Sequence, residues 1–308
     1  CQHYWDIEDE QLCKRRDIAG LVAKHGQIVN SFVTPDTADS VLAAYDAMPE
    51  MHIITTSMEK PKYNAIKSRI QDTSYGFSNT ALLSGNFPSE VDATLEYMTG
   101  SEKERDYPNG DMSCFGRIKR HSIANDSRTG LNNGDFSSQL WFLPFGPGMK
   151  IDATSKHLKA RMMKNRILNR YEIVIVNSKK EYAVKDIKLE IANWELKAKE
   201  AGKSGLILLA GNQLTLGVTL PFVDIVVLMT DITSSDKIVQ MMYRCMTESI
   251  SSPENDKIND GVKRIGYVID MNMSRVLNTC LDYNVQKQDL SIEQKFRYVI
   301  DNNQINID

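Results

Sequence analysis

Residues 205–228 read Gly205-Leu206-Ile207-Leu208-Leu209-Ala210-Gly211-Asn212-Gln213-Leu214-Thr215-Leu216-Gly217-Val218-Thr219-Leu220-Pro221-Phe222-Val223-Asp224-Ile225-Val226-Val227-Leu228. Two apolar runs, Leu206–Ala210 and Val223–Met229, flank a stretch of Gly, Asn, Gln, Thr and Pro. Runs of that length are too short to cross a membrane and match buried strands. Because they are apolar almost without interruption, they read as strands covered on both faces.

The same texture extends in both directions. Upstream, the pattern predicts a strand over Gln139–Phe145, a helix over Ala153–Leu168, a strand over Tyr171–Asn177 and a helix over Val184–Ala201 closed by Gly202. Downstream, it predicts a helix over Ser235–Glu248, a strand over Arg264–Asp270 and a helix over Ser274–Leu281. Apolar strands alternating with helices describe an α/β domain built on a parallel sheet with helices on both faces.

Before this region the chain is less regular. Helices are expected over Gln11–His25 and Thr37–Ala47, strands over Gln27–Val33 and Met51–Thr56, and a helix over Ile66–Gln71. Between Gly76 and Phe136 the Gly, Asn, Ser and Asp content rises, with one expected helix at Ser89–Met98. The expected division is 1–75, a loop-rich connector at 76–137, the α/β domain at 138–285, and a tail at 286–308 with a helix over Ile292–Ile300.

Composition excludes several classes. With 308 residues, 42% of them apolar and 25% charged, the chain is long enough for two domains with real cores. It has neither a membrane span nor an N-terminal signal pattern, and it opens on Cys1 rather than Met, so an intracellular protein and a piece of a longer polypeptide are the expectation. The five cysteines form no Cys-x-x-Cys pair, which argues against a zinc ribbon or a disulfide framework. Cys1, His3, Cys13 and His25 match no finger spacing, so no metal site is expected. Net charge is −3, yet residues 150–170 carry seven basic residues, Lys150, Lys156, Lys159, Arg161, Lys164, Arg166 and Arg170, against Asp152. Such a strip is either a phosphate-backbone contact or a solvated helix face. The segment Gly116–His121 reads as a solvated loop, with nucleic-acid contact as the alternative.

The 205–228 passage resembles motif V of superfamily-2 helicases: a strand, a loop ending in Gly-x-x-Leu-Pro, then an apolar strand after an Asp. The next helix carries Gln240-Met241-Met242-Tyr243-Arg244-Cys245-Met246-Thr247-Glu248, which resembles motif VI, Gln-x-x-Gly-Arg-x-x-Arg. Leu140–Phe145 sits where the family's motif IV strand opens the second RecA-like lobe. Met51–Ser57 resembles motif III, with Thr55 and Ser57 supplying hydroxyls that couple the nucleotide and nucleic-acid sites. The string Met242-Tyr243-Arg244-Cys245-Met246-Thr247-Glu248 is also similar to helicase-like proteins of large DNA viruses. The resemblance covers about residues 138–280. It implies a C-terminal RecA-like lobe, with residues 1–75 as a remnant of the first lobe.

It further implies roles. Arg244 would be an arginine finger on a transferred γ-phosphoryl group, a device worth ~10³–10⁵ in rate. Gln240, one turn earlier, would orient it or touch the nucleotide. Gly217 would allow close approach of backbone to a phosphate or sugar. Thr215 and Thr219 would face nucleic acid, DNA or RNA, with Lys156, Lys159 and Lys164 adding backbone contacts. Taken singly, Gly217 reads rather as a turn glycine and Arg244 as a surface ion pair; the two together, in this order within a parallel-sheet pattern, favour the nucleotide-site reading.

Departures limit this. No Gly-x4-Gly-Lys-Ser/Thr loop is present: Gly202-Lys203-Ser204 follows a helix and precedes a strand, the reverse of the required order. ATP and Mg²⁺ are therefore implied for an intact two-lobe parent, completed by a missing lobe or other subunit, and not for this chain alone. Tyr243 replaces the motif VI glycine and Thr247 its second arginine. A non-catalytic, helicase-derived scaffold is the alternative. An unrelated doubly wound enzyme finds no nucleophile–base set or dinucleotide glycine fingerprint to support it.

Overall fold

The computed structural model describes residues 7–26, 29, 38–43, 45–55, 71–72, 76–100, 113–127, 129, 131, 136–145, 151–176, 184–211, 214, 220–247, 263–272, 275–276, 278–279 and 305–307. In chain order the elements are helices α1 (Ile7–Lys14), α2 (Ile18–His25) and α3 (Ala38–Ala43), then strands β1 (Glu50–Thr55), β2 (Gln71–Asp72) and β3 (Gly76–Phe77). Helices α4 (Asn79–Leu82), α5 (Pro88–Thr99) and α6 (Cys114–Ala124) follow. The remainder is β4 (Ser137–Phe142), α7 (Ile151–Met162), β5 (Tyr171–Val176), α8 (Val184–Glu200), β6 (Gly205–Ala210), β7 (Val223–Leu228), α9 (Ser235–Met242), β8 (Ile265–Ile269) and β9 (Ile305–Ile307).

Seven strands form one sheet in the order β5-β6-β4-β7-β8-β1-β9, and each neighbouring pair is parallel. The α/β class and its parallel sheet are as expected. β6 and β7 are buried at every position, because helices cover both faces. Side chains alternate between the two cores, as the two-residue period of a strand requires. Trp141, Leu209 and Val227 join one cluster with Val91, Leu95, Phe115, Ile118, Leu158 and Met162 of α5, α6 and α7. Leu140, Phe142, Leu208 and Val226 join the other, with Ile187 and Ile191 of α8 and Ile238, Met241 and Met242 of α9. Helices α1 to α3 enclose a separate small core of Cys13, Leu21, Val29 and Leu42.

Several expectations need correction. β1, assigned to the remnant of a separate lobe, pairs with β8 from Glu50↔Ile265 to Ile54↔Ile269 and belongs to the same sheet as β4 to β8. The single helix over Gln11–His25 is two. The chain turns at Arg16, whose φ is +56°, and Asp17 restarts the helix by accepting from the Gly20 amide at 2.8 Å. Arg16 fixes that corner by reaching Asp39 at 3.0 Å and Asp46 at 2.9 Å. The connector is far less loop-rich than its composition suggests, since α4 and α6 join the one expected helix. The Gly116–His121 loop is the middle of α6, capped by Ser113 accepting from the Gly116 amide at 3.0 Å. The helix expected over Ser235–Glu248 stops at Met242 and tightens into a 3₁₀ turn at Tyr243–Cys245. The expected Ile66–Gln71 helix, apart from Gln71, and the Ile292–Ile300 helix lie outside the described residues, as do most of Gln27–Val33 and half of Ser274–Leu281, whose described residues 275–276 and 278–279 are helical. No helix among the described residues is long and apolar enough to cross a membrane.

Candidate functional site

The connection from β6 to β7 carries the residues compared above with motif V. Thr215, Gly217 and Thr219 lie outside the described residues, as does Ser57. What is described is how the connection is held. Leu214 and Leu220 are both buried in the α8–α9 core. Beyond them, the carbonyls of Pro221 and Val223 each accept from the buried Lys263 ammonium at 3.1 Å. Asp224 follows at a bulge, where the register with β4 slips from Ser138↔Val223 to Ser138's neighbour Gln139↔Ile225. Asp224 and Gln139 are fully buried, and Gln139 accepts from the Trp141 indole N–H at 2.9 Å. Lys263 had no signal in the sequence, since nothing periodic leads into it.

Arg244 occupies the 3₁₀ turn at the end of α9. It is half-buried, and desolvation pulls the pKa of its guanidinium below the ordinary value. The side chain is therefore not immersed in bulk water. Gln240 is half-buried one turn earlier on the same helix. The turn is locked from beneath by the buried Cys245, whose thiol donates to the Met242 carbonyl at 3.1 Å and is pushed up to about 12 by burial. Cys245 rests on Gly266 of β8. A Cβ there would stand 2.4 Å from the Cys245 carbonyl oxygen and 2.8 Å from its carbon. Those are backbone atoms, which cannot swing aside. Gly266→Ala is expected to destabilise the fold by about 1–3 kcal/mol and to shift the turn carrying Arg244. A urea unfolding curve that superimposes on the wild type would contradict this close packing.

The basic strip divides. Lys156 and Lys164 are exposed on and just beyond α7. Lys159 is half-buried instead, and its ammonium donates to the Ile173 carbonyl of β5. Arg161 pairs with Asp92 of α5. Two of the seven basic groups thus serve internal contacts that helix periodicity does not reveal. His25 is likewise engaged, its Nε2 lying 2.6 Å from the buried Asp9 carboxylate.

At the carboxyl edge of the sheet, Thr55 ends β1 with its side chain buried. Its backbone carbonyl accepts from the buried Arg117 of α6 at 3.2 Å. Next to it, Asp270 follows β8 and binds Arg275 through both carboxylate oxygens, at 2.7 Å and 2.9 Å. Arg275 also donates to the carbonyls of Leu228, Thr230 and Ile232, which gathers the segment between β7 and α9. From that segment Asp231 accepts the amides of Asn79 and Thr80 at 2.7 Å each, capping α4. The Asp270–Arg275 clamp escaped the sequence reading because a pair five apart has no distinguishing pattern.

No family model matches this chain, and no curated protein matches it. Solved structures show weak likenesses. One is an ATP-dependent Type ISP restriction-modification enzyme, LlaBIII, bound to DNA, with 13% identity and a TM-score of 0.39 over 86% of this chain. The chain spans 16% of that enzyme's length. Another is the C-terminal part of the Fun30 ATPase domain, with 10% identity and a TM-score of 0.30, covering 97% of this chain and 93% of that one. At such identity and TM-score, neither likeness assigns a role to any residue here.

Proposed function

We propose that this chain is the C-terminal RecA-like lobe of an ATP-dependent superfamily-2 helicase or translocase acting on nucleic acid. The observation that carries the reading is the parallel order β5-β6-β4-β7-β8, with the motif V passage running from β6 into β7 and Arg244 half-buried at the end of the helix after β7. The residues present fit only part of a nucleotide site. Arg244 and Gln240 are suited to a γ-phosphate, whereas no phosphate-cradling loop or Mg²⁺-holding acid pair is present in this sequence. Bound ATP would supply phosphoryl transfer. In this reading Arg244 places a fixed positive charge where negative charge develops, and Gln240 orients it. In the same reading Thr215, Gly217 and Thr219 would contact the nucleic-acid strand, and Thr55 and Ser57 would couple the two sites.

Tyr243 and Thr247, in place of the family's glycine and second arginine, favour a second reading, a scaffold that has kept the fold without hydrolysis. ATP hydrolysis by the intact gene product, with and without DNA or RNA, separates the two. The helicase reading expects hydrolysis stimulated by nucleic acid; the scaffold reading expects none.

The exposed lysines make a separate prediction. If Lys156 and Lys164 touch phosphates, replacing either by Ala lowers the slope of log affinity against log salt by about 0.7–0.9. Lys159→Ala should leave the slope unchanged, since that ammonium is spent on Ile173. Binding titrations from low to moderate salt check both, and wild-type slopes for all three variants would remove α7 from the interface.

A further inference from the structure

The amino-terminal half of β1 carries a feature that the helicase reading does not use. His52 of β1 is 5% exposed and lies beside Tyr267 of β8 in register. His121 of α6 stacks on it with ring centroids 3.9 Å apart and planes 25° from parallel. The Nδ1 of His121 lies 3.2 Å from the Tyr267 hydroxyl, and both imidazoles stand edge-on to that phenol at 5.9 Å. Around this trio α6 docks through Phe115 and Ile118 into the apolar core.

We propose that the stacked His52–His121 pair is a pH-sensitive latch that holds α6 on the sheet when both rings are neutral and releases it on acidification. A proton taken from solvent makes both ring nitrogens of an imidazole donors and sets a positive charge against the face of its neighbour. A second proton on the other ring, 3.9 Å away, meets direct repulsion beside the buried His52. Undocking relieves both.

The charges around the pair do not cancel this. Burial lowers the pKa of His121 below its ordinary 6.5, and the opposing pull comes from Glu50 of β1. Glu50 is itself shared with Lys14 of α1. Arg264, just before β8, is turned to Asp126, 3.6 Å away. On α5, which packs beside α6, Asp92 is held by Arg161 and Glu90 accepts from Ser89. On α6 itself Arg117 is turned to the Thr55 carbonyl, and Lys119 and Arg120 are exposed. A folded-state pKa below the unfolded one means that the open form takes up the proton first. The latch is thus intact above about pH 6.5 and loosens as pH falls through the folded value. Because Arg117 grips the end of β1, release of α6 also frees the Thr55 carbonyl.

Hydrogen exchange of the full chain, corrected for the intrinsic pH dependence, tests this between pH 7.5 and 5.0. Protection of residues 114–124 should fall below about pH 6.5, by up to about tenfold per pH unit for one proton. Protection in β4 should stay constant, and His121→Gln should flatten the response of α6. Constant protection in α6, loss of β4 protection in parallel, or an undiminished response in His121→Gln would each overturn the latch. If the variant does not fold, histidine NMR of the wild type decides: depressed titration of His121 coinciding with α6 exposure supports the latch, and titration at the ordinary value overturns it.

Discussion

Arg244→Ala is expected to lower the nucleic-acid-stimulated ATP hydrolysis of the intact gene product by ~10³-fold or more, while nucleotide affinity changes little. The asymmetry follows from the physics of a preorganised charge. In the proposed reading, a guanidinium held by the 3₁₀ turn, itself locked on Gly266, needs no reorganisation as charge builds on the transferred phosphoryl group. Its worth is therefore concentrated in the transition state, and its loss shows in kcat more than in KM. Lys at this position keeps the charge but not the planar fork, so Arg244→Lys should recover only a small part of the rate. Steady-state kinetics of the three proteins check this. Equal loss in kcat/KM through KM alone would make Arg244 a binding residue.

Arg275→Ala is the substitution expected to damage the fold most, by about 3–5 kcal/mol. Arg275 and Asp270 are 4% and 1% exposed in their side chains, so removing the guanidinium leaves a buried carboxylate without the Arg275 charge. It also strips a donor from the carbonyls of Leu228, Thr230 and Ile232. Removing both charges with packed apolar residues, Arg275→Met with Asp270→Leu, should cost less than either single change. Chemical denaturation of the single and double variants reads this directly. A near-neutral Arg275→Ala would mean that the clamp holds nothing.

The sheet was largely legible because continuous apolar runs such as Leu206–Ala210 and Ile225–Leu228 leave no solvated face. Strand membership was less so. Nothing local to Glu50–Thr55 distinguishes a strand beside β8 from one in another domain, since pairing between residues 53 and 268 is fixed only by the closed core. Helix α6 was hidden by its Gly- and Asn-rich flanks, although Cys114, Phe115 and Ile118 form an apolar stripe at i, i+1 and i+4. At the candidate site the sequence pointed to Arg244 and Gln240, and the structure describes both as half-buried. It could not foresee Lys159, Lys263 or Arg117. Each of these cations donates to backbone carbonyls, and a backbone acceptor leaves no mark in a sequence.

The central claim is that Arg244 meets the phosphoryl group being transferred, and its most direct measurement is binding of ADP with and without aluminium fluoride to the intact gene product. Wild-type protein should bind ADP–aluminium fluoride far more tightly than ADP in the presence of nucleic acid, and Arg244→Ala should retain ADP binding while losing most of that difference. An unchanged ratio in Arg244→Ala, or no nucleotide binding by the wild type, would contradict the account.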